Sequence, residues 1–476
     1  MNVLLVSPYQ GAMFELAGVN MQPLGISYIG AALRAAGHDV QLEIMQSQNV
    51  YPDFAGADIV GISCNTVQFK SGLKIAKAAK ALGKTVIMGG PHPTTNPEEA
   101  LQSGYVDYVV RAEGEVTIVE LLRGLQTGKE FIPEKVLGIS YIDKESGKIV
   151  NNPNRPFIHA LDQIPFPMRE AKYRYNKDIS SKPNGSVTFP IVTTRGCPYG
   201  CKFCQTHVLA GRRFRIRSIE NVVKEVEQIV KKYNPEEIVF IDDIINFDSE
   251  RLVSLFGRLI EKGLPVIKWV MGRADLLIEN PKTAEVMGKG GVQQMFLGIE
   301  SPSEHVLKAY RKGGKASSNA SVKAVQILKQ NGIETWGAFI IGAPQETMED
   351  IKRTIEFAKF LNPGTAEFSI LTPYPGTELW DEVKPRIFTQ DWDLYDALHP
   401  VFKTDHISPD ELRKALVKAY VSFYMQPKRI WKSVFSRGTS YGSTNIKKGV
   451  RIVKALRTVL QNEYPRTEKI SISPSN

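Results

Sequence analysis

The chain has 476 residues, 42% hydrophobic and 23% charged, with a formal net charge of +10. This composition excludes a largely disordered chain and a disulfide-stapled mini-protein, and the length suits about two or three globular domains. The positive charge is local, since residues 425–476 hold eleven Lys or Arg against two Glu. The rest is close to neutral and does not read as a polyanion binder. Basic residues without interleaved aromatic platforms argue against nucleic acid as a partner. No stretch reaches the roughly 18–20 apolar residues of a membrane span. The opening Met-Asn-Val-Leu-Leu-Val lacks a cationic leader region and reads as a strand, so a cytoplasmic location is expected.

After that strand (3–6) the pattern predicts a helix over 24–36 and strands over 39–44 and 58–63. A helix over 68–82, strands over 85–88 and 107–110, and a helix over 115–125 follow. Strands alternating with helices imply an α/β fold with a doubly wound parallel sheet over residues 1–135, which binds ligands outside the carboxyl ends of its strands. Those ends are Ser7-Pro8, Ser63-Cys64-Asn65, Gly89-Gly90-Pro91-His92 and Ala112-Glu113-Gly114-Glu115. Small residues there leave room for a large flat ligand or a tail, with Ser7, Ser63, Asn65, Gly89, Gly90 and Glu113 as candidate contacts. The plainer alternative makes Gly89-Gly90 a tight turn, and Cys64 reads as a small buried thiol. Residues 136–185 read as a linker, stiffened by prolines in Asp162-Gln-Ile-Pro-Phe-Pro-Met-Arg169 so that one domain faces the other in a fixed way.

A strand over 187–194 runs into Cys197, Cys201 and Cys204, spaced C-x3-C-x2-C. Three thiolates on one short loop can hold three corners of a cubane iron–sulfur cluster whose full set of ligands is four. With only Cys64 remaining, in another domain, one iron is left open for a substrate or cofactor. The alternative, a structural zinc site, prefers four ligands in C-x2-C pairs, and no second pair exists. Further strand–helix repeats end at Asp242-Asp243, near Arg273, at Glu300-Ser301, at Gly342-Ala-Pro344-Gln-Glu346 and at Thr372-Pro373. Six units over 186–405 predict an incomplete (β/α)6 barrel, with its active site at the carboxyl ends of the strands.

Residues 406–476 read as a helical region. Ser408-Pro409-Asp410-Glu411 is a helix start. Residues 446–460 form a basic amphipathic pattern that either packs on the barrel or lies peripherally on an anionic membrane surface.

The stretches PLGISYIGAALRAAGHDV, DIVGIS, GGPHPT and VRAEGE resemble the cobalamin-binding domain that precedes many radical enzymes. With the cysteine loop, the chain over about residues 1–430 resembles the cobalamin-binding branch of the radical S-adenosylmethionine (SAM) superfamily. The resemblance implies that Cys197, Cys201 and Cys204 hold a [4Fe–4S] cluster whose open iron chelates SAM. An electron from a flavodoxin- or ferredoxin-type donor then gives a 5′-deoxyadenosyl radical. It places the SAM ammonium at Asp242-Asp243, the ribose at Glu300 and Ser301, and the adenine at 339–344, including Gly342 and Pro344. Arg273 is a further candidate, with a structural salt bridge as its alternative. The Asp-x-His-x-x-Gly motif that supplies a cobalt ligand in many cobalamin domains is absent, so cobalamin is expected to bind without that His. The implied activity is cobalamin-dependent methylation of an unactivated carbon on a hydrophobic small molecule. The alternatives are a radical cyclase and a non-catalytic sensor.

Overall fold

The computed structural model describes residues 1–9, 21–47, 49–175, 178–180, 188–264, 266–312, 315–429 and 431. The first sheet has nine strands: β1 (Asn2–Ser7), β2 (Asp39–Met45), β3 (Ile59–Ser63), β4 (Thr85–Gly89), β5 (Tyr108–Val110), β6 (Ile139–Ile142), β7 (Ile149–Asn151), β8 (Lys172–Tyr175) and β9 (Asp178–Ser180). Their order is β7-β6-β5-β4-β3-β1-β2-β8-β9. The central five are parallel. Their order, 2-1-3-4-5, puts a topological switch point between β1 and β3, where such sheets open a ligand crevice. Apolar runs make these strands, as expected for a sheet covered on both faces. The helices Leu24–Ala35 and Phe69–Ala81 fall within about a residue or two of their expected places.

Residues 136–185 depart from the expected linker. Within them β6 and β7 extend one edge of the first sheet antiparallel, and β8 and β9 extend the other. The segment therefore crosses the whole sheet rather than tethering it. Arg169, at the end of the proline-rich stretch, donates to Pro190 O at 2.9 Å and pairs with Glu225 at 2.7 Å, joining the two halves through buried groups.

The second sheet begins with β10 (Thr188–Ile191). The hairpin β11 (Thr194–Arg195) and β12 (Arg215–Ile216) follows, then β13 (Glu237–Phe240), β14 (Ile267–Gly272), β15 (Gln294–Glu300), β16 (Glu334–Ile341) and β17 (Thr365–Ile370). Omitting the hairpin, the strands lie in chain order and all pair parallel, and β10 does not pair with β17. This is the expected barrel, open on one side. The helix Ile219–Tyr233 starts at Ser218, whose side chain accepts from Asn221 N, and stops at left-handed Asn234. The helix Pro409–Tyr424 starts at Ser408 with a full capping box to Glu411. It also closes the free edge: the Tyr420 and Tyr424 hydroxyls each donate to and accept from the backbone of β17, at Phe368 and Ala366. An edge strand so covered offers no template for a further strand.

The two halves share a core. Leu4, Val60 and Met88 of the first sheet belong to one buried cluster with Tyr310, Trp392 and Tyr395. Among the described residues no helix is long and apolar enough to cross a membrane. The basic pattern of 446–460 lies outside the described residues.

Candidate functional site

Both sheets turn the carboxyl ends of their strands toward one cavity of about 360 Å³. On one side it is walled by Ser63, Gly89, Gly90 and Glu113, on the other by Arg195, Gly196 and Asp243. Gly25, Gly61 and Gly114 line it as well, so much of its wall is backbone rather than side chain. That surface suits a broad, flat group. Neither His38 nor His92 reaches the cavity; His92 is buried, with Nε2 3.3 Å from Glu99 and its ring against Phe69 and Trp392. A corrinoid here would meet no histidine ligand from the first sheet.

The cysteine loop is fixed from behind. Asp242 is fully buried, and its Oδ1 accepts from Thr193 N and Oγ1, both at 2.9 Å, and from Thr194 Oγ1 at 2.6 Å. Burial pushes this carboxyl up and the threonine bonds pull it back. Its Oδ2 has no partner. Gly196 then turns at φ +88°, where a Cβ would lie 2.3 Å from Arg213 O, so only glycine fits. Further along, Lys202 N donates to Tyr310 O at 3.0 Å, and Phe203 meets Tyr310 edge-on at 5.5 Å. The Cys197, Cys201 and Cys204 thiols are partly buried and act electrostatically on one another. Burial pushes the Cys197 thiol up to about 11, so a bound cation is what would draw its proton off. Among the described residues no three His, Cys, Asp or Glu side chains gather around a single ion. Three free thiols on one short loop are a donor set that fits a cluster.

Asp243, one residue after Asp242, faces the cavity, and its Oδ1 accepts from Thr206 Oγ1 at 3.0 Å. The two neighbours therefore differ: Asp242 braces the loop and only Asp243 reaches the open space. Glu300 ends β15 at φ +62° and pairs with Lys312, whose Nζ also donates to Gly298 O. Lys312 is a site residue that sequence reasoning missed, because a helix and a turn separate it from Glu300.

Ser301 is a correction. It is buried and turned away, with Oγ 3.3 Å from Thr354 Oγ1 and accepting from Ser303 N. Its hydroxyl is thus held toward the helix Met348–Leu361, whereas the Glu300 carboxylate is held by Lys312. Asn65 is corrected likewise. Its side chain accepts from Gln68 N while Gln68 accepts from Asn65 N, a capping box that occupies it. Ser7 is buried at the end of β1 and does not line the cavity. Arg273 takes its structural alternative: it bonds Asp275 at 2.8 and 3.0 Å, with its guanidinium 3.8 Å over the Tyr199 ring of the cysteine loop. Gly342, at φ +91°, and Ala343 both donate from their backbone N to Glu346 Oε2, at 2.5 and 3.0 Å. Pro344 O accepts from Asp405 N at 2.8 Å. Glu346 is buried, its Oε1 has no partner, and burial raises its carboxyl to about 7.

Residues 191–358 match the family model for the radical SAM superfamily, and residues 12–122 match that for the B12 binding domain. The chain is 35% identical to an uncharacterized methyltransferase, PH0819, of Pyrococcus horikoshii, over 98% of this chain and 99% of that one. It is 28% identical to the anaerobic magnesium-protoporphyrin IX monomethyl ester cyclase of Rubrivivax gelatinosus, over 89% of this chain and 78% of the relative. Among solved structures it resembles the radical SAM methyltransferase TsrM of Kitasatospora setae, determined with cobalamin and a [4Fe–4S] cluster. The TM-score is 0.70 at 16% identity, covering 97% of this chain and 100% of that one.

Proposed function

Because the chain belongs to the cobalamin-binding branch of the radical SAM superfamily, we propose that it methylates an unactivated carbon of a small, hydrophobic molecule. Its cofactors are a [4Fe–4S] cluster, SAM and cobalamin. Bound together, they supply an electron, a hydrogen-abstracting radical and the methyl group to be delivered. The observation that carries the proposal is the single cavity walled by the B12-domain turns and by Arg195, Gly196 and Asp243 beside the cysteines. A methyl carrier and a radical source must share one chamber if both are to act on one carbon.

The chain's own residues divide the work as follows. Cys197, Cys201 and Cys204 hold the cluster, and Asp242 keeps their loop in place. Asp243 accepts from the SAM ammonium. Glu300, steadied by Lys312, accepts from the ribose hydroxyls. The backbone of Gly342–Pro344, braced by Glu346, borders the adenine. Gly89, Gly90 and Ser63 cradle the corrinoid. The first domain comprises 1–135 together with the flanking strands of 136–180. Electrons come from a small external donor of flavodoxin or ferredoxin type. The basic pattern of 446–460 adds a peripheral membrane contact. Liposome binding that persists without residues 445–476 would refute that contact.

The cyclase reading is supported by the Rubrivivax relative, and one experiment separates the two. Reconstituted protein is given methyl-labelled SAM and a strong reductant without oxygen. Methylation predicts S-adenosylhomocysteine and a labelled corrinoid fraction together with 5′-deoxyadenosine. Deoxyadenosine alone, with the corrinoid unlabelled, favours cyclisation.

A further inference from the structure

The two most exposed large apolar side chains among the described residues are Phe360, at 70%, and Trp431, at 69%. Val421 and Met425, shortly before Trp431 in the chain, are exposed at 40% and 55%. One exposed apolar residue is ordinary, but several at one place mark a contact. Tyr420 bonds Phe368 and Tyr424 bonds Ala366, so the helix Pro409–Tyr424 runs antiparallel to β17 and ends beside the start of that strand. The helix Met348–Leu361 ends there as well, a short turn before Thr365. Arg429 ties the two ends together, its Nη2 donating to Asn362 Oδ1 at 2.7 Å and to Pro363 O. Val421, Met425, Trp431 and Phe360 are thereby brought to the amino end of β17, away from the cavity at the carboxyl ends.

The charge around them has one sign. Lys414 and Lys418 share the outward face of the helix with Val421 and Met425, one every three or four residues, and Lys428 is exposed beyond its end. Between Glu411 and Glu463 the chain has no acidic residue and twelve Lys or Arg. Interfaces between proteins are depleted in lysine. Protruding apolar tips that include a tryptophan, bordered by lysines, suit an anionic bilayer instead. The tips reach below the headgroups, and the lysine stems follow them while each ammonium stays among the phosphates.

We propose that this end of the second sheet docks on an anionic lipid surface, with Phe360, Met425 and Trp431 inserted and Lys414, Lys418 and Lys428 at the headgroups. The proposal does not depend on the radical SAM reading. It adds a face of the folded body to the contact proposed above for 446–460.

The test is co-sedimentation of the full-length protein with vesicles of phosphatidylcholine holding about a quarter phosphatidylglycerol, and with vesicles of phosphatidylcholine alone. Wild type is expected to bind the mixed vesicles at least about tenfold more tightly than the neutral ones. Phe360→Ser, Met425→Ser and Trp431→Ser together remove apolar surface without changing charge, and should weaken binding to the mixed vesicles at least about tenfold. All three side chains are exposed, so the fold is kept. Fluorescence supplies a second readout, because Trp431 is the most exposed of the five tryptophans. Mixed vesicles with brominated acyl chains should quench wild-type emission and leave that of Trp431→Phe unchanged. No binding of wild type, equal affinity for the two kinds of vesicle, or equal quenching of wild type and Trp431→Phe overturns the proposal. Wild-type binding by the triple variant also overturns it and assigns the contact to 446–460, which the substitutions leave intact.

Discussion

Arg195 of the cysteine loop meets Glu113 of the first domain at 3.1 Å, two residues from Cys197. Arg195 also bonds Glu115 at 2.7 Å, and Arg215 bonds Glu113 at 2.8 Å. All four groups are largely buried. Burial works against the Glu113 charge, but Arg215 and Arg195 hold its carboxyl below the ordinary range. The Arg195 guanidinium lies 4.9 Å over the Tyr28 ring, so charge and stacking together fasten the cavity-lining turn of one domain to the cysteine loop of the other.

Glu113→Gln should therefore loosen the chamber. Leaving Arg215 and Arg195 short of a carboxylate should cost about 3 kcal/mol of stability. It should also lower corrinoid retention at least tenfold, read from visible absorbance after gel filtration. Retention equal to wild type, with cluster absorbance intact, would show that the network does not couple the domains.

Asp242→Asn and Asp243→Asn should part company. The first disturbs the brace on Thr193 and Thr194 and should lower cluster occupancy and thermal stability together. The second leaves the brace alone and should weaken SAM binding about tenfold or more, by loss of a charge-assisted contact, with cluster absorbance unchanged. Equal effects of the two substitutions on SAM affinity would contradict the division of labour.

Glu346 imposes a pH dependence on stability. Its ordinary value is 4.5, and burial raises it to about 7 in the folded chain. Between those values the folded state keeps a proton that the unfolded state has released, so stability falls as pH rises and levels off above about 7. The shift corresponds to about 3 kcal/mol. Glu346→Gln should flatten that part of the profile, and the difference in unfolding free energy between variant and wild type should grow in the variant's favour from about pH 5 to pH 7. A constant difference across this range would refute the assignment.

Much of the site was legible because it depends on local spacing. The C-x3-C-x2-C run and the polar ends of six strands follow from the chain itself, and the capping residues at Ser408 and Ser218 fix helix starts locally. The split between Asp242 and Asp243 was also available. Ile238 and Phe240 of β13 pack on the helices, and continuing that alternation puts Asp242 on the same side and Asp243 on the other. The strands in 136–180 were not legible, since each has four residues or fewer and edge pairing needs no apolar alternation. The Arg195–Glu113 bridge spans 82 residues, and the core shared by Met88 and Trp392 spans more. Such contacts come from tertiary packing, which no local pattern encodes.

The most direct test of the account is SAM cleavage by the reconstituted protein and by Cys201→Ala, under reducing conditions without oxygen. Wild type should show cluster absorbance, retain corrinoid and form 5′-deoxyadenosine. Cys201→Ala should lose the cluster and the deoxyadenosine but keep the corrinoid. Deoxyadenosine formation by Cys201→Ala at the wild-type level would contradict the central assignment.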